Sequence, residues 1–519
     1  MNTKIALPKY VRVCLGATFL LGVLAHGMAL VNKFCLADEA ARMFTVGSTV
    51  ASGRWFLGVI GGFVRWFFGS PNFSLPLTGG LLTILLTGLC SCVLVSWMGL
   101  KKKISWILIS GLMITFPIMP CLFFYHFTAP YYMAGLLLIF LGGSILCRNR
   151  NIQAFVCGVV LVCLGLSIYQ AFVSLFLSLL LIFFFREVTE QNEWTASKLL
   201  REILWFCGAC VAIALVYLLS VKISNFLNHS ELLDYKGISS MGSASISDYV
   251  GRIKLALYLY LFPNKSDRYA FLFPYRLADC YFLVIVCSAL LISWTALRLR
   301  KTPLKMVTIL LVLAFFPFAS NFIYIACDAS DIYTLVLFGQ LAPFLLLVCL
   351  ADWLLPSARY RSDWKKLIET VPVLLLSVFC LYSVRVDNAV YTETQFAQTR
   401  SQAYFSGIVT QVKSTPGYTA NSHVAFVGNP FSATNAVFRR IDGFAQISIS
   451  PLTYSDNPFC VSYYGWQEYI SLWCGFSPIY EDGAKYAELP EVQAMPDYPD
   501  NGSIKMINDV VVVKLNDEN

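Results

Sequence analysis

The chain has 519 residues and a formal net charge of +8, with 57% hydrophobic, 15% aromatic and only 13% charged residues and a mean hydropathy of +0.66. A soluble domain carries about 25% charged residues, so this composition excludes a soluble globule and predicts an integral membrane protein. Its basic residues fall in short clusters between apolar runs, where they orient the chain and meet anionic lipid head groups, and nucleic-acid binding is excluded.

Lys4, Lys9 and Arg12 precede an apolar run, Val11 to Val31, that is longer than the roughly 7–15-residue core of a cleaved signal, so it reads as a retained first span. With about 20 apolar residues per crossing, eleven spans are predicted, near 11–32, 75–98, 104–123, 130–147, 152–169, 171–186, 202–225, 277–298, 304–322, 332–355 and 367–386. Every second connection is short and basic: Lys101 to Lys103; Arg148 and Arg150; Arg186, Lys198 and Arg201; Arg298, Arg300, Lys301 and Lys305; Arg359, Arg361, Lys365 and Lys366. Basic connections accumulate in the cytoplasm. The expectation is a multi-pass membrane protein with a cytoplasmic N-terminus and an extracytoplasmic C-terminal part.

The first outer loop, 33–74, carries NKFCLADEAARMFTVGSTVASGRW, with Asp38, Glu39, Arg42 and Arg54. A carboxylate at the mouth of a membrane cavity is costly unless it acts; the competing reading is a pair that caps a helix starting at Ala40. After Arg54, WFLGVIGGFVRWFFGS is apolar yet interrupted by Arg65 and four glycines, which predicts a helix along the interface. The second long outer loop, 228–276, turns from KGISSMGSASISD into YVGRIKLALYLYLFP, too short to span and ended by Pro263. It sets Arg252, Lys254, Lys265, Arg268 and Arg276 outside, against the orientation rule. An anionic ligand explains them, and so does pairing with Asp248, Asp267 and Asp279.

The chain thus divides into a membrane domain, 1–386, and a small extracytoplasmic α/β domain, 387–519, with a helix from Tyr391 to Val412, a turn at Pro416-Gly417 and strands in HVAFVG and DVVVVKL. Most of the 17 cysteines lie in apolar segments as small hydrophobes. Cys460 and Cys474 of the C-terminal part are either bonded or free thiols. No metal site and no cofactor is expected.

An acidic pair in an outer loop after the first span, then GRW, an apolar segment, and much later SIYQAF at a turn between spans, resembles the bacterial serotype-converting O-antigen glucosyltransferases of the membrane-embedded GT-C superfamily. The likeness covers roughly the first 390 residues in arrangement. Where that family more often shows Asn-Asp or Asp-Asp, this chain has Asp38-Glu39, so either acid is a candidate. The resemblance implies a polytopic all-α GT-C-like fold, a hexose, glucose above all, carried on polyprenyl phosphate, and an envelope glycan or lipid-linked acceptor such as O-antigen, teichoic acid or another surface polysaccharide.

Such a transfer needs a base for the acceptor hydroxyl, for which Asp38 and Glu39 stand. It also needs cations for the departing phosphate, for which Arg54, Arg252 and Arg276 stand. Arg42, His126, Tyr169, Gln170 and Asp328 are further candidate substrate contacts. For His126 an aromatic-belt position, for Tyr169 and Gln170 helix-end hydrogen bonding, compete with that role. A transporter or flippase of lipid-linked sugars is the rival reading, but transporters place polar or broken helices at the midplane, whereas the polar groups here collect on one side.

Overall fold

The computed structural model describes residues 7–36, 38–47, 49–231, 244–263, 272–329, 332–355, 363–428, 430, 443 and 465–515. The chain forms two compact units, one from Met1–Lys33 and Phe44–Ala389, the other from Phe34–Met43, Val390–Ala445 and Tyr454–Asn519. The acidic loop is therefore counted with the C-terminal unit.

The first unit is helical: α1 Lys9–Val31, α2 Trp55–Phe68, α3 Pro76–Trp97, α4 Lys103–Thr115, α5 Met119–Phe123, α6 Ala129–Arg148, α7 Ile152–Leu166, α8 Val173–Glu190, α9 Ala196–Leu227, α10 Ile246–Leu261, α11 Leu277–Arg298, α12 Pro303–Ser320, α13 Phe322–Ala326, α14 Ala342–Leu354, and the start of α15, Asp363–Ser414. Their starts follow local rules. Pro76, Pro130, Pro303 and Pro343 sit in the first turns of α3, α6, α12 and α14, where a missing N–H costs nothing. Asn151 caps α7, and Ser245 with Asp248 closes a capping box on α10.

Among the described residues, eight helices are long and apolar enough to cross a membrane. The other three expected spans are shorter helices, Lys103–Thr115, Ile152–Leu166 and Phe338–Leu354. Phe116, extended before Pro117, ends α4. The expected interfacial segments are helices of 14 and 16 residues, α2 and α10. Val59, Phe63, Trp66 and Phe67 lie exposed along one side of α2 while Leu57 and Gly61 face inward. On α9, Leu204, Val211, Leu215 and Leu218 are likewise exposed, an apolar surface suited to lipid. Helices α6 and α7 pack backbone to backbone: a Cβ at Gly142 would lie 2.7 Å from the Gly158 carbonyl, and one at Gly165 2.5 Å from that of Gly135. Small residues at such a crossing let van der Waals contact replace the hydrophobic drive that lipid removes.

The C-terminal unit holds a four-stranded sheet, β1 His423–Val427, β2 Ile479–Glu481, β3 Ile504–Ile507 and β4 Val510–Lys514, in the order β2-β1-β4-β3. β1 is parallel to β2 and β4, and β3 and β4 form a hairpin. Ala425, Val427, Val492, Met495, Ile507, Val510 and Val512 form its core. The strands in HVAFVG and DVVVVKL and the Gly417 turn are where the sequence puts them; β2 and β3, three and four residues long, are additions. The expected break between the last span and the helix at Tyr391 is absent, because SVRVDNAV contains neither Gly nor Pro and a helix once begun propagates. Cys474 is free, 3.7 Å from the Ser406 hydroxyl; Cys460 lies outside the described residues, as do Lys265, Asp267 and Arg268.

Candidate functional site

Ahead of α2 the chain makes a 3-10 turn, Val50–Ser52, and swings through Gly53 in the left-handed region at φ 72°. Arg54 follows at the N-cap of α2, its N–H bonded to the Thr49 carbonyl at 2.8 Å. The N-terminal N–H groups of a helix need outside partners, and Phe56 finds one in the Ser167 carbonyl, 3.2 Å away at the end of α7. That bond brings the GRW segment to the SIYQAF turn.

The half-buried Arg54 guanidinium is held between the two segments. Its Nη1 donates to the Tyr132 hydroxyl at 3.0 Å and its Nε to Gln170 Oε1 at 3.4 Å. The Tyr132 and Tyr169 rings stack at 4.1 Å, and the guanidinium carbon lies 5.2 Å from the Tyr169 centroid. Gln170 Nε2 donates to the Ser52 carbonyl at 2.8 Å and to the Tyr217 hydroxyl at 2.9 Å, and Tyr217 donates to the Gly53 carbonyl at 3.2 Å. Buried Tyr169 reaches the Leu335 carbonyl at 3.2 Å. Trp55 Nε1 donates to Ser220 on α9 at 3.0 Å. A planar cation in an aromatic and amide cage has one orientation and is well suited to a phosphate.

The other candidates divide. Arg252 on α10 is mostly buried, bonds the Ala326 carbonyl at 3.4 Å and pairs with Asp328 at 3.7 Å. Arg276 is 82% exposed and pairs locally with Asp279 at 2.9 Å, the bland reading of that residue. His126 is buried, with Nε2 3.1 Å from the Ala29 carbonyl and Nδ1 without a hydrogen-bond partner among the described residues. Burial, then the nearby Lys33, push its pKa down to about 3, so it stands neutral.

In the other unit, Glu39 is fully buried and Asp38 half-buried. Phe34 stacks on Tyr391 at 5.9 Å and the Cys35 N–H donates to Gln398 Oε1 at 2.9 Å, both partners on α15. Asp38 to Phe44 form turns, with the Arg42 N–H bonded to the Asp38 carbonyl at 2.9 Å, and no helix begins at Ala40 for the pair to cap.

Sequence reasoning missed Ser52, Tyr132 and Tyr217. A hydroxyl inside the apolar run of α9 was the available signal for Tyr217, since a buried tyrosine usually finds a polar partner. Among the described residues no cluster of three or more His, Cys, Asp or Glu is arranged to hold a metal ion.

Span-length apolar helices, with an arginine held among Tyr132, Tyr169 and Gln170, define a helical membrane protein. The family model described as Glucosyl transferase GtrII matches residues 27–344, more than half of the chain, and the chain belongs to that family. It is a glycosyltransferase of glucosyl groups. No curated protein and no solved structure matches it.

Proposed function

We propose that the protein moves glucose from polyprenyl phosphate to an envelope glycan on the extracytoplasmic face of the bacterial inner membrane, with the membrane unit holding the donor and the C-terminal unit lying outside. The acceptor hydroxyl oxygen attacks the anomeric carbon, the bond from that carbon to the phosphate oxygen breaks, and the hydroxyl proton passes to a carboxylate. Asp38 takes the proton, its partial exposure favouring it over buried Glu39. Polyprenyl phosphate departs with a growing second negative charge, which Arg54 meets. Arg252 serves the donor from α10, and the exposed apolar faces of α2 and α10 suit an isoprenoid chain.

The observation that carries this reading is the fixed Arg54 guanidinium where GRW meets YQAF, built from residues 116 positions apart. The direct test incubates purified protein with polyprenyl-phosphate glucose, mannose and galactose and with UDP-glucose, and follows release of polyprenyl phosphate or UDP. Release from the glucosyl carrier is expected; turnover of UDP-glucose alone would overturn the donor assignment.

A further inference from the structure

The membrane unit has a second polar site, a cavity of about 550 Å³ at the ends of α3, α6 and α8 and the start of α9. That volume is in the range of small-ligand pockets, roughly 300–1,000 Å³. Five cationic side chains line it, Arg148, Arg150, Arg186, Lys198 and Arg201, against two carboxylates, Glu187 and Glu202. Part of this charge is structural. Arg150 pairs with Glu202 at 2.8 Å and donates to the Leu146 and Cys147 carbonyls, closing the end of α6. Arg186 pairs with Glu190 at 2.9 Å, yet its Nε is buried without a hydrogen-bond partner among the described residues. Its guanidinium lies against Gly99, where a Cβ would sit 2.5 Å from Nη1 and φ is +63°, so only glycine leaves it room.

The other three cations, Arg148, Lys198 and Arg201, face one remaining carboxylate, Glu187, which accepts from Gln191. Among the described residues no carboxylate lies within salt-bridge distance of Arg148, Lys198 or Arg201; Arg148 donates instead to Ser96 Oγ at 3.0 Å. An excess of cations beside a low-dielectric slab attracts an anion. The walls are the ends of apolar helices, the level at which lipid head groups lie, and basic pockets between such helices on the cytoplasmic side bind anionic head groups.

We infer that this cavity is a binding site for a phosphate-bearing head group of an anionic membrane lipid, separate from the Arg54 cage. The cytoplasmic placement rests on the orientation adopted under the proposed function; the binding chemistry does not.

The test is native mass spectrometry of the full chain in detergent, titrated with phosphatidylglycerol, with phosphatidylcholine, and with phosphatidylglycerol in the presence of inorganic phosphate or pyrophosphate. Removing a cation near a phosphate should weaken binding about fivefold, so Lys198→Gln with Arg201→Gln should weaken phosphatidylglycerol about 25-fold. Arg300→Gln with Lys301→Gln removes the same charge elsewhere and should change binding less than twofold; phosphatidylcholine should not bind. Displacement of lipid by free phosphate identifies the phosphate as the recognised group, and pyrophosphate binding more tightly than lipid assigns the site to a soluble source. Equal weakening in the two double variants, or binding of no phosphate compound, would overturn the site. Since no sugar donor is present, failure here is distinguishable from failure of the transfer reaction.

Discussion

Gly53→Ala probes the Arg54 cage without touching a side chain that forms it. At φ 72° a Cβ brings about 1 kcal/mol of left-handed strain. It would also lie 2.8 Å from the Tyr217 hydroxyl and 3.0 Å from Gln170 Nε2, too close for either atom to stay. Displacing them weakens the 2.9 Å Gln170–Tyr217 bond and the 3.2 Å bond from Tyr217 to the Gly53 carbonyl, about 1 kcal/mol each. The expected destabilisation is about 3 kcal/mol. Loss of the Gln170 bond to Arg54 should lower kcat/KM with the glucosyl carrier roughly tenfold. Tyr217→Phe removes the same two bonds, so combining it with Gly53→Ala should cost about 2 kcal/mol less than the sum of the two. Thermal unfolding in detergent and initial transfer rates give both quantities. Wild-type stability and kcat/KM in Gly53→Ala, or strict additivity in the double variant, would refute the cage as drawn.

Asp38→Asn keeps shape and removes basicity, so transfer should fall by about 10²–10⁴-fold with donor binding retained. Glu39→Gln should cost less in rate; full activity in both, measured on folded protein, sinks the catalytic assignment. His126, held near 3 when folded against 6.5 unfolded, makes unfolding easier by about 1.4 kcal/mol for each pH unit below 6.5, down to its folded value. His126→Gln should remove that acid sensitivity in thermal unfolding between about pH 4 and 7, and an unchanged slope contradicts the assignment. A cysteine placed at Ser422 should react with an impermeant maleimide added to intact spheroplasts; reaction only after lysis reverses the orientation.

Apolar run length, proline at helix starts and the spacing of basic clusters are local properties, so the sequence alone determines the membrane class, the eight long helices, the two short amphipathic ones and the HVAFVG and DVVVVKL strands. It also singles out Arg54, Tyr169 and Gln170, but as unconnected motifs. Their meeting depends on a Phe56 N–H finding the Ser167 carbonyl and on Tyr132 and Tyr217 arriving from α6 and α9. Nothing local encodes those distances. The same holds for Arg252, whose ion pair among the described residues is with Asp328, and for the acidic loop, which follows the first span in the chain yet belongs to the C-terminal unit because Phe34 and Cys35 find Tyr391 and Gln398 on α15. Local sequence decides where a helix can begin and how long it runs; which side chains share a site is decided when the spent ends of those helices find partners for their polar groups, and that happens only in the packed chain.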